Sequence, residues 1–299
     1  AIFTLAIVVF YTFFGGFRAV CITDAFQGAL MFLVLVAVPI VAFCNLNLPD
    51  GATFWNEVSK YGKNHLNVFY DQTFLSILGL MAWGLGYFGQ PHIIVRFMAI
   101  RTSKELAQAR RIGIGWMAIG LAGAMMSGLI GFVYYSELNL PLADPEKVFL
   151  QLGETLFHPF FVGIIISAVL SAIMSTISSQ LLVSASSVTQ DFVFAFYKKE
   201  ISQKAQVAAG RYAVVAVALV ATALAFSFNE SVLNVVGYAW AGFGASFGPV
   251  LLFSLYWRRM SALAALLGMV TGGATVIAWI ALGLNSYVYE ILPGFAVSC

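Results

Sequence analysis

The chain has 299 residues, of which 61% are hydrophobic and only 9% are Asp, Glu, Lys or Arg, with a net charge of +2. Soluble domains carry roughly a quarter charged residues, so this composition excludes a water-soluble globule. The charges are gathered into short clusters that leave eight charge-free windows, at 1–17, 25–49, 72–95, 112–136, 155–190, 212–229, 231–257 and 260–289. A membrane-spanning helix needs about 20 mainly apolar residues. Stretches such as MFLVLVAVPIVAF are apolar on every side, whereas the strands of a membrane barrel alternate apolar and polar residues. The sequence therefore predicts an all-α, polytopic membrane helix bundle with about eight complete spans, here lettered A to H.

Span A opens at Ala1 with no basic leader, and the chain reads as a fragment rather than as a protein with a signal peptide. Arg18 follows span A, a basic cluster (Arg96, Arg101, Lys104, Arg110, Arg111) follows C, Lys198, Lys199, Lys204 and Arg211 follow E, and Arg258 and Arg259 follow G. Short cytoplasmic loops are enriched in Lys and Arg. The loops A–B, C–D, E–F and G–H are accordingly assigned to the inside, and the N-terminus, the acidic segment after D and Glu290 to the outside. Within that segment, Asp144 and Pro145 precede Val148, Phe149, Leu152 and Leu156, a start signal followed by apolar residues at helical spacing. This predicts a short connector or lid helix on the membrane surface. Residues 287–299, with Pro293 and Gly294, read as the first turn of a ninth span. Cys21, Cys44, Cys299, His65, His92 and His158 are scattered and indicate neither a disulfide framework nor a zinc site.

Span C contains WGLGYFGQPHIIVRF, with Gly84, Gly86, Gly89 and Pro91 inside one charge-free window. Proline lacks an N–H and glycine lowers the cost of leaving helical geometry, so the helix is expected to break between Gly84 and Pro91. Irregular backbone at membrane depth survives only where it is buried in protein or lines a wet cavity, and broken helices build midplane sites in many transporters. At 100° per residue, Trp83, Tyr87, Gln90 and Pro91 share an arc of roughly 100°, which makes them candidates for a solute cavity. A proline-kinked helix with an interfacial aromatic belt is the simpler alternative.

Span E is 36 residues long and rich in hydroxyls. Ala172, Ser175, Thr176 and Ser179 fall at i, i+3, i+4 and i+7, a single helix face offering neutral oxygens suited to a hard monovalent cation. The competing reading is close helix packing, which also favours small residues and hydroxyls. Smaller features have modest readings. Arg18 and Asp24 flank a tight inside turn after Gly15 and Gly16, Arg96 is placed to gate the cytoplasmic side or to anchor the helix at the interface, and the glycines of spans G and H, including Gly237, Gly242, Gly244, Gly248, Gly268, Gly272 and Gly273, are close-packing positions. The residues of phosphate-loop, zincin and serine-hydrolase motifs are missing.

Taken together, WGLGYFGQPHIIVRFMAI, SAVLSAIMSTISSQLLVSASSVTQDF, YTFFGGF with the following ITD, and YEILPGF resemble the sodium:solute symporter family, and within it the sodium/proline symporters. The resemblance implies a single transmembrane transporter domain over 1–299, with a fold of two inverted five-helix repeats from which the first broken helix and most of the last span are missing. It implies sodium-coupled import of L-proline by alternating access across a cell membrane, that of a bacterial inner membrane, with the lipid bilayer, sodium and proline as partners and no nucleic acid. It places sodium ligands at the Ala172 carbonyl and the Ser175 and Thr176 hydroxyls, a proline pocket at Trp83, Tyr87 and Pro91, and a coupling aspartate at Asp24; Gln90 and Ser179 join these sets from helical geometry alone. A membrane sensor module and a sodium symporter for another small solute remain as alternatives. An intramembrane enzyme would need a catalytic pair at depth, which the sequence does not offer.

Overall fold

The structure, a computed structural model, describes residues 2–46, 53–60, 67, 69–138, 144–196, 201–226 and 232–299. His65, Lys198 and Lys199, named above, lie outside the described residues. Those described form helices and turns with no strand. In chain order the helices are α1 Ile2–Cys44, α2 Phe54–Lys60, α3 Phe74–Gly86, a 3-10 turn Tyr87–Gly89, α4 Pro91–Met98, α5 Ser103–Glu137, α6 Val148–Leu156, α7 Pro159–Ser186, a π-helical stretch Ser187–Val193, α8 Phe194–Phe196, α9 Gln203–Ala225, α10 Val232–Tyr256, α11 Ala262–Ala281 and α12 Ile291–Ser298. Six helices among the described residues are long and apolar enough to cross a membrane.

The chain divides into two compact units, Ala1–Asn67 with Arg101–Leu224 and Val68–Ile100 with Ala225–Cys299. In the first unit, α1 is doubled back on itself. Gly16 has φ 55° and ψ −152°, a conformation open in practice to glycine. A Cβ on Gly15 would lie 2.1 Å from the Ala19 Cβ, where i, i+4 neighbours on a continuous helix stand about 5–6 Å apart. Packing requires a bend here, since an unbroken helix would set Val8 and Val34 about 39 Å apart, whereas their partners Leu181 and Ala168 stand about 20 Å apart along α7. Val8 of the first limb clusters with Leu181 and Ala218, while Val34, Val38 and Ala42 of the second cluster with Ile165 and Ala168, at the other end of α7. The two limbs are spans A and B. The six long helices, the first bent double, and the interrupted pair α3–α4 account for the eight charge-free windows.

The first unit's main core joins Val34, Val38 and Ala42 to Ile130 and Val133 of α5, Leu152 of α6 and Ile165 and Ala168 of α7. Lipid tails are as apolar as leucine, so close van der Waals approach rather than water exclusion holds such helices together. Gly123 meets the Leu35 carbonyl and Gly131 the Val148 methyl too closely for any Cβ. The expected connector helix is α6. Asp144 caps its 3-10 lead-in by accepting from the Glu146 N–H, and Leu152 is fully buried. The exposed Asp144 carboxylate is also held low by the Lys147 ammonium, to which it is ion-paired at 2.8 Å. One feature of span E escaped the sequence: α7 passes directly into the π-helical turn 187–193.

In the second unit, α10 is the axis, with α3, α11 and α12 packed around a core of Ala82, Ala241, Ala245, Val276 and Ile291. Gly244 of α10 lies against the Gly86 backbone, and Gly272 and Gly294 bring α11 and α12 in as closely. Gly237 and Gly242 depart from the packing expectation, since each has open space where a Cβ would stand. Of residues 287–299, Ile291–Ser298 turn helical as α12 and bury Ile291 and Gly294 in this unit.

Candidate functional site

The break in span C is real and local. α3 ends at Gly86, the chain makes one 3-10 turn over Tyr87–Gly89, Gln90 is extended at φ −87° and ψ 108°, and Pro91 starts α4. Proline suits that first position because its missing N–H has no intrahelical partner to lose. The Gln90 carbonyl accepts the Ile93 and Ile94 N–H groups, so α4 begins cleanly. The shared arc drawn for Trp83, Tyr87, Gln90 and Pro91 assumed an unbroken helix and is replaced by a different convergence.

That convergence is on Trp240 of α10. Its ring stacks on Trp83 with centroids 5.4 Å apart and planes at 14°, and its indole N–H donates to the Trp83 carbonyl at 2.9 Å. Tyr87 meets it edge-on at 4.8 Å and 87°. The Gln90 amide donates to the Trp240 carbonyl at 3.3 Å, and Gln90 is only 4% exposed. Tyr289 stacks on Trp83 at 5.9 Å and 13°, and its phenol donates to the Gly237 carbonyl at 2.9 Å. Burial, reinforced by the neighbouring Glu290, holds the Tyr289 phenol protonated well above its ordinary range. Trp83 therefore stacks on Trp240 and Tyr289, and Tyr87, 43% exposed, is the ring of this group with most open surface. Pro91 is half-buried and makes the helix start without joining the stack.

Three oxygens gather on one turn of α7. The Ser175 and Thr176 hydroxyls each donate to the Ala172 carbonyl at 3.0 Å. Each hydroxyl keeps lone pairs free for a cation, whereas the carbonyl accepts both hydroxyls in addition to the helical N–H of Thr176. Ala172 and Thr176 are exposed and Ser175 is half-buried. Ser179, one turn on, is buried at 7% and donates to the Ser175 carbonyl at 2.7 Å, and Ser178 is fully buried with a bond to the same carbonyl. The hydroxyl face thus divides into an open turn at 172–176 and a packed turn at 178–179. Asp24 is half-buried about 12 Å along the second limb of α1 from Gly16, and Arg96 occupies the last turn of α4, where its charge complements the helix dipole. Ala172, Ser175, Thr176 and Asp24 belong to the first unit; Trp83, Tyr87, Gln90, Pro91 and Arg96 belong to the second.

The model of the sodium:solute symporter family matches residues 1–272. This chain belongs to that family. The high-affinity proline transporter PutP of Bacillus subtilis (strain 168) is 51% identical over 292 residues, covering 98% of this chain and 61% of its own length. The osmoregulated proline transporter OpuE of the same organism is 49% identical over 297 residues, 99% of this chain and 60% of its own. A sodium/proline symporter of Staphylococcus aureus is 49% identical over 302 residues, 98% of this chain and 58% of its own. The chain spans about three fifths of the length of the curated relatives it matches. A solved Na+-coupled sialic acid symporter, in a substrate-bound outward-open state, superposes with a TM-score of 0.74 over 97% of this chain and 62% of that one at 18% identity. At that identity the likeness speaks for the fold, which is the inverted-repeat transporter fold in truncated form. A symporter-family chain with these helices is a multi-pass cell-membrane protein.

Trp240 and Tyr289 were not singled out in the sequence. The signal was faint: Trp240 is a large aromatic set among small residues in GYAWAGFG, and Tyr289 precedes a buried Glu290 at a helix start. Nothing in their spacing ties either ring to Trp83, which lies 157 residues from Trp240.

Proposed function

We propose that this chain carries the ion-handling and solute-handling helices of a sodium-coupled L-proline importer that works by alternating access, a secondary active transporter rather than an enzyme. The observation that carries the reading is the interrupted helix α3–α4, braced by an aromatic assembly in a chain about half identical to proteins named as proline transporters. Proline is assigned to the site of Trp83, Tyr87, Gln90 and Pro91, with Gln90 buried beneath the rings on the Trp240 carbonyl. An edge of Trp83 and the exposed Tyr87 ring present apolar surface to the pyrrolidine, while the chain break supplies backbone polar groups to the zwitterion. Trp240 and Tyr289 hold the Trp83 ring in orientation.

Sodium, the co-transported ion, is assigned to Ala172, Ser175 and Thr176, whose oxygens suit a hard cation. For the Ala172 carbonyl to ligate sodium, at least one hydroxyl must turn its proton away. That exchange of a hydrogen bond for an ion contact makes the turn responsive to the ion. Asp24 is assigned to coupling and Arg96 to gating. The test is uptake of labelled proline into proteoliposomes holding the full-length protein. A sodium gradient should drive accumulation that an equal potassium gradient does not, and uptake that ignores sodium would refute the proposal.

A further inference from the structure

A second pocket lies in the first unit, away from the turn assigned to sodium. It is a cavity of about 340 Å³ where the Gly16 reversal of α1, the π-helical turn after α7 and the first half of α9 meet. Two departures from regular helix thus border one cavity, and π-helical turns occur frequently at functional positions. Among apolar residues its lining includes the polar side chains of Thr12, Ser186, Thr189, Gln190 and Gln206, with Arg211. Among the described residues no carboxylate lines it and Arg211 is in no ion pair; its guanidinium stands over the Phe13 ring at 5.6 Å from the centroid. Lys204 precedes Arg211 by two helical turns on the same stripe of α9. Thr12 is 2% exposed and its hydroxyl has no hydrogen-bond partner, an unfavourable state for a buried polar group. The second limb of α1 starts at the same place, bringing the positive end of its dipole to the cavity.

We infer that this cavity binds a phosphate group, with Arg211 as its counter-charge and the Thr12 hydroxyl as a hydrogen-bond donor. Guanidinium, hydroxyl and amide donors around an acid-free space match the charge and the acceptor oxygens of phosphate. In sequence, α9 follows loop E–F, which the charge rule assigns to the cytoplasm, where anionic lipid headgroups and free phosphate both occur. The two sources share one chemistry, and the experiment separates them.

Full-length protein in detergent is titrated with phosphatidylglycerol, with a galactosyl diacylglycerol of the same acyl chains and no phosphate, and with inorganic phosphate, and thermal stabilisation is read for each. Phosphatidylglycerol should stabilise the wild type and the galactolipid should not. Arg211→Gln and Thr12→Val should each weaken the phosphatidylglycerol response, Arg211→Gln by about tenfold in apparent affinity, while Arg258→Gln, a cation of the other unit, should leave it unchanged. Stabilisation by inorganic phosphate alone, lost in Arg211→Gln, identifies the free ion; stabilisation by the lipid only identifies a headgroup. Equal stabilisation by the two lipids, no stabilisation by either phosphatidylglycerol or phosphate, or unchanged responses in the variants, overturn the assignment. If Arg211→Gln does not fold, Thr12→Val decides by the same readout.

Discussion

The contact between Gly86 and Trp240 can be broken by a single methyl group. A Cβ at Gly86 would lie 1.9 Å from the Trp240 Nε1, 2.4 Å from Cδ1 and 2.6 Å from Cε2, against an optimal separation of about 3.5–4.0 Å. The indole must therefore retreat by well over 1 Å. It cannot do so in place, because its face is stacked on Trp83 and its N–H is bonded to the Trp83 carbonyl. Overpacking costs about 1–3 kcal/mol, and the lost hydrogen bond adds about 0.5–1.5 kcal/mol. Gly86→Ala should therefore destabilise by about 2–4 kcal/mol, even though alanine is the better helix former by about 1 kcal/mol at an unhindered position. Gly84, where a Cβ meets open space, supplies that unhindered comparison. The assay is thermal unfolding of the purified full-length protein, with proline-dependent uptake measured alongside. Gly86→Ala should unfold several degrees below Gly84→Ala and need more proline for half-maximal uptake. In a Trp240→Ala background the added methyl should cost little, giving a coupling energy of the size of the clash. Equal stability of the two alanine variants, or no coupling to Trp240, would refute the reasoning.

Trp240→Phe keeps a ring in the stack but removes the donor to Trp83, so it should lower stability by about 1 kcal/mol and raise the proline requirement while leaving sodium dependence alone, as uptake curves against each substrate would show. Ser175→Ala and Thr176→Ala each delete one hydroxyl of the open turn and should raise the sodium concentration for half-maximal uptake about tenfold; Ser178→Ala, from the packed turn, should not, and identical behaviour of all three would return this face to helix packing. Burial holds the Glu290 carboxyl above the ordinary glutamate range, with one oxygen left unpartnered. A raised folded-state value means that its contribution is complete below the ordinary glutamate pKa and is lost as pH rises through the raised one. Thermal stability should fall across that window in the wild type and stay flat in Glu290→Gln, and parallel pH profiles would contradict the burial argument.

The sequence by itself determined the solvent of this protein, and with it the secondary structure. Charge-free windows admit only helices in a bilayer, where every backbone group must be satisfied within its own segment. The break at Tyr87–Gln90 was legible for a related reason, since Pro91 and its neighbouring glycines act on their own backbone. The open turn of α7 was legible in part, because i, i+3 and i+4 place Ala172, Ser175 and Thr176 together whatever surrounds them. Periodicity could not tell that Ser179 is packed while Thr176 is open, a difference set by what lies against each turn. Tertiary structure alone decided the rest. The aromatic assembly on Trp83 needs α10 and the start of α12 at contact distance, and that distance is set by Gly86 and Gly244 meeting backbone to backbone. In sequence those glycines looked like helix breakers and packing residues of separate spans. Their common role exists only once two helices cross, because a missing side chain has meaning through the neighbour that fills its space.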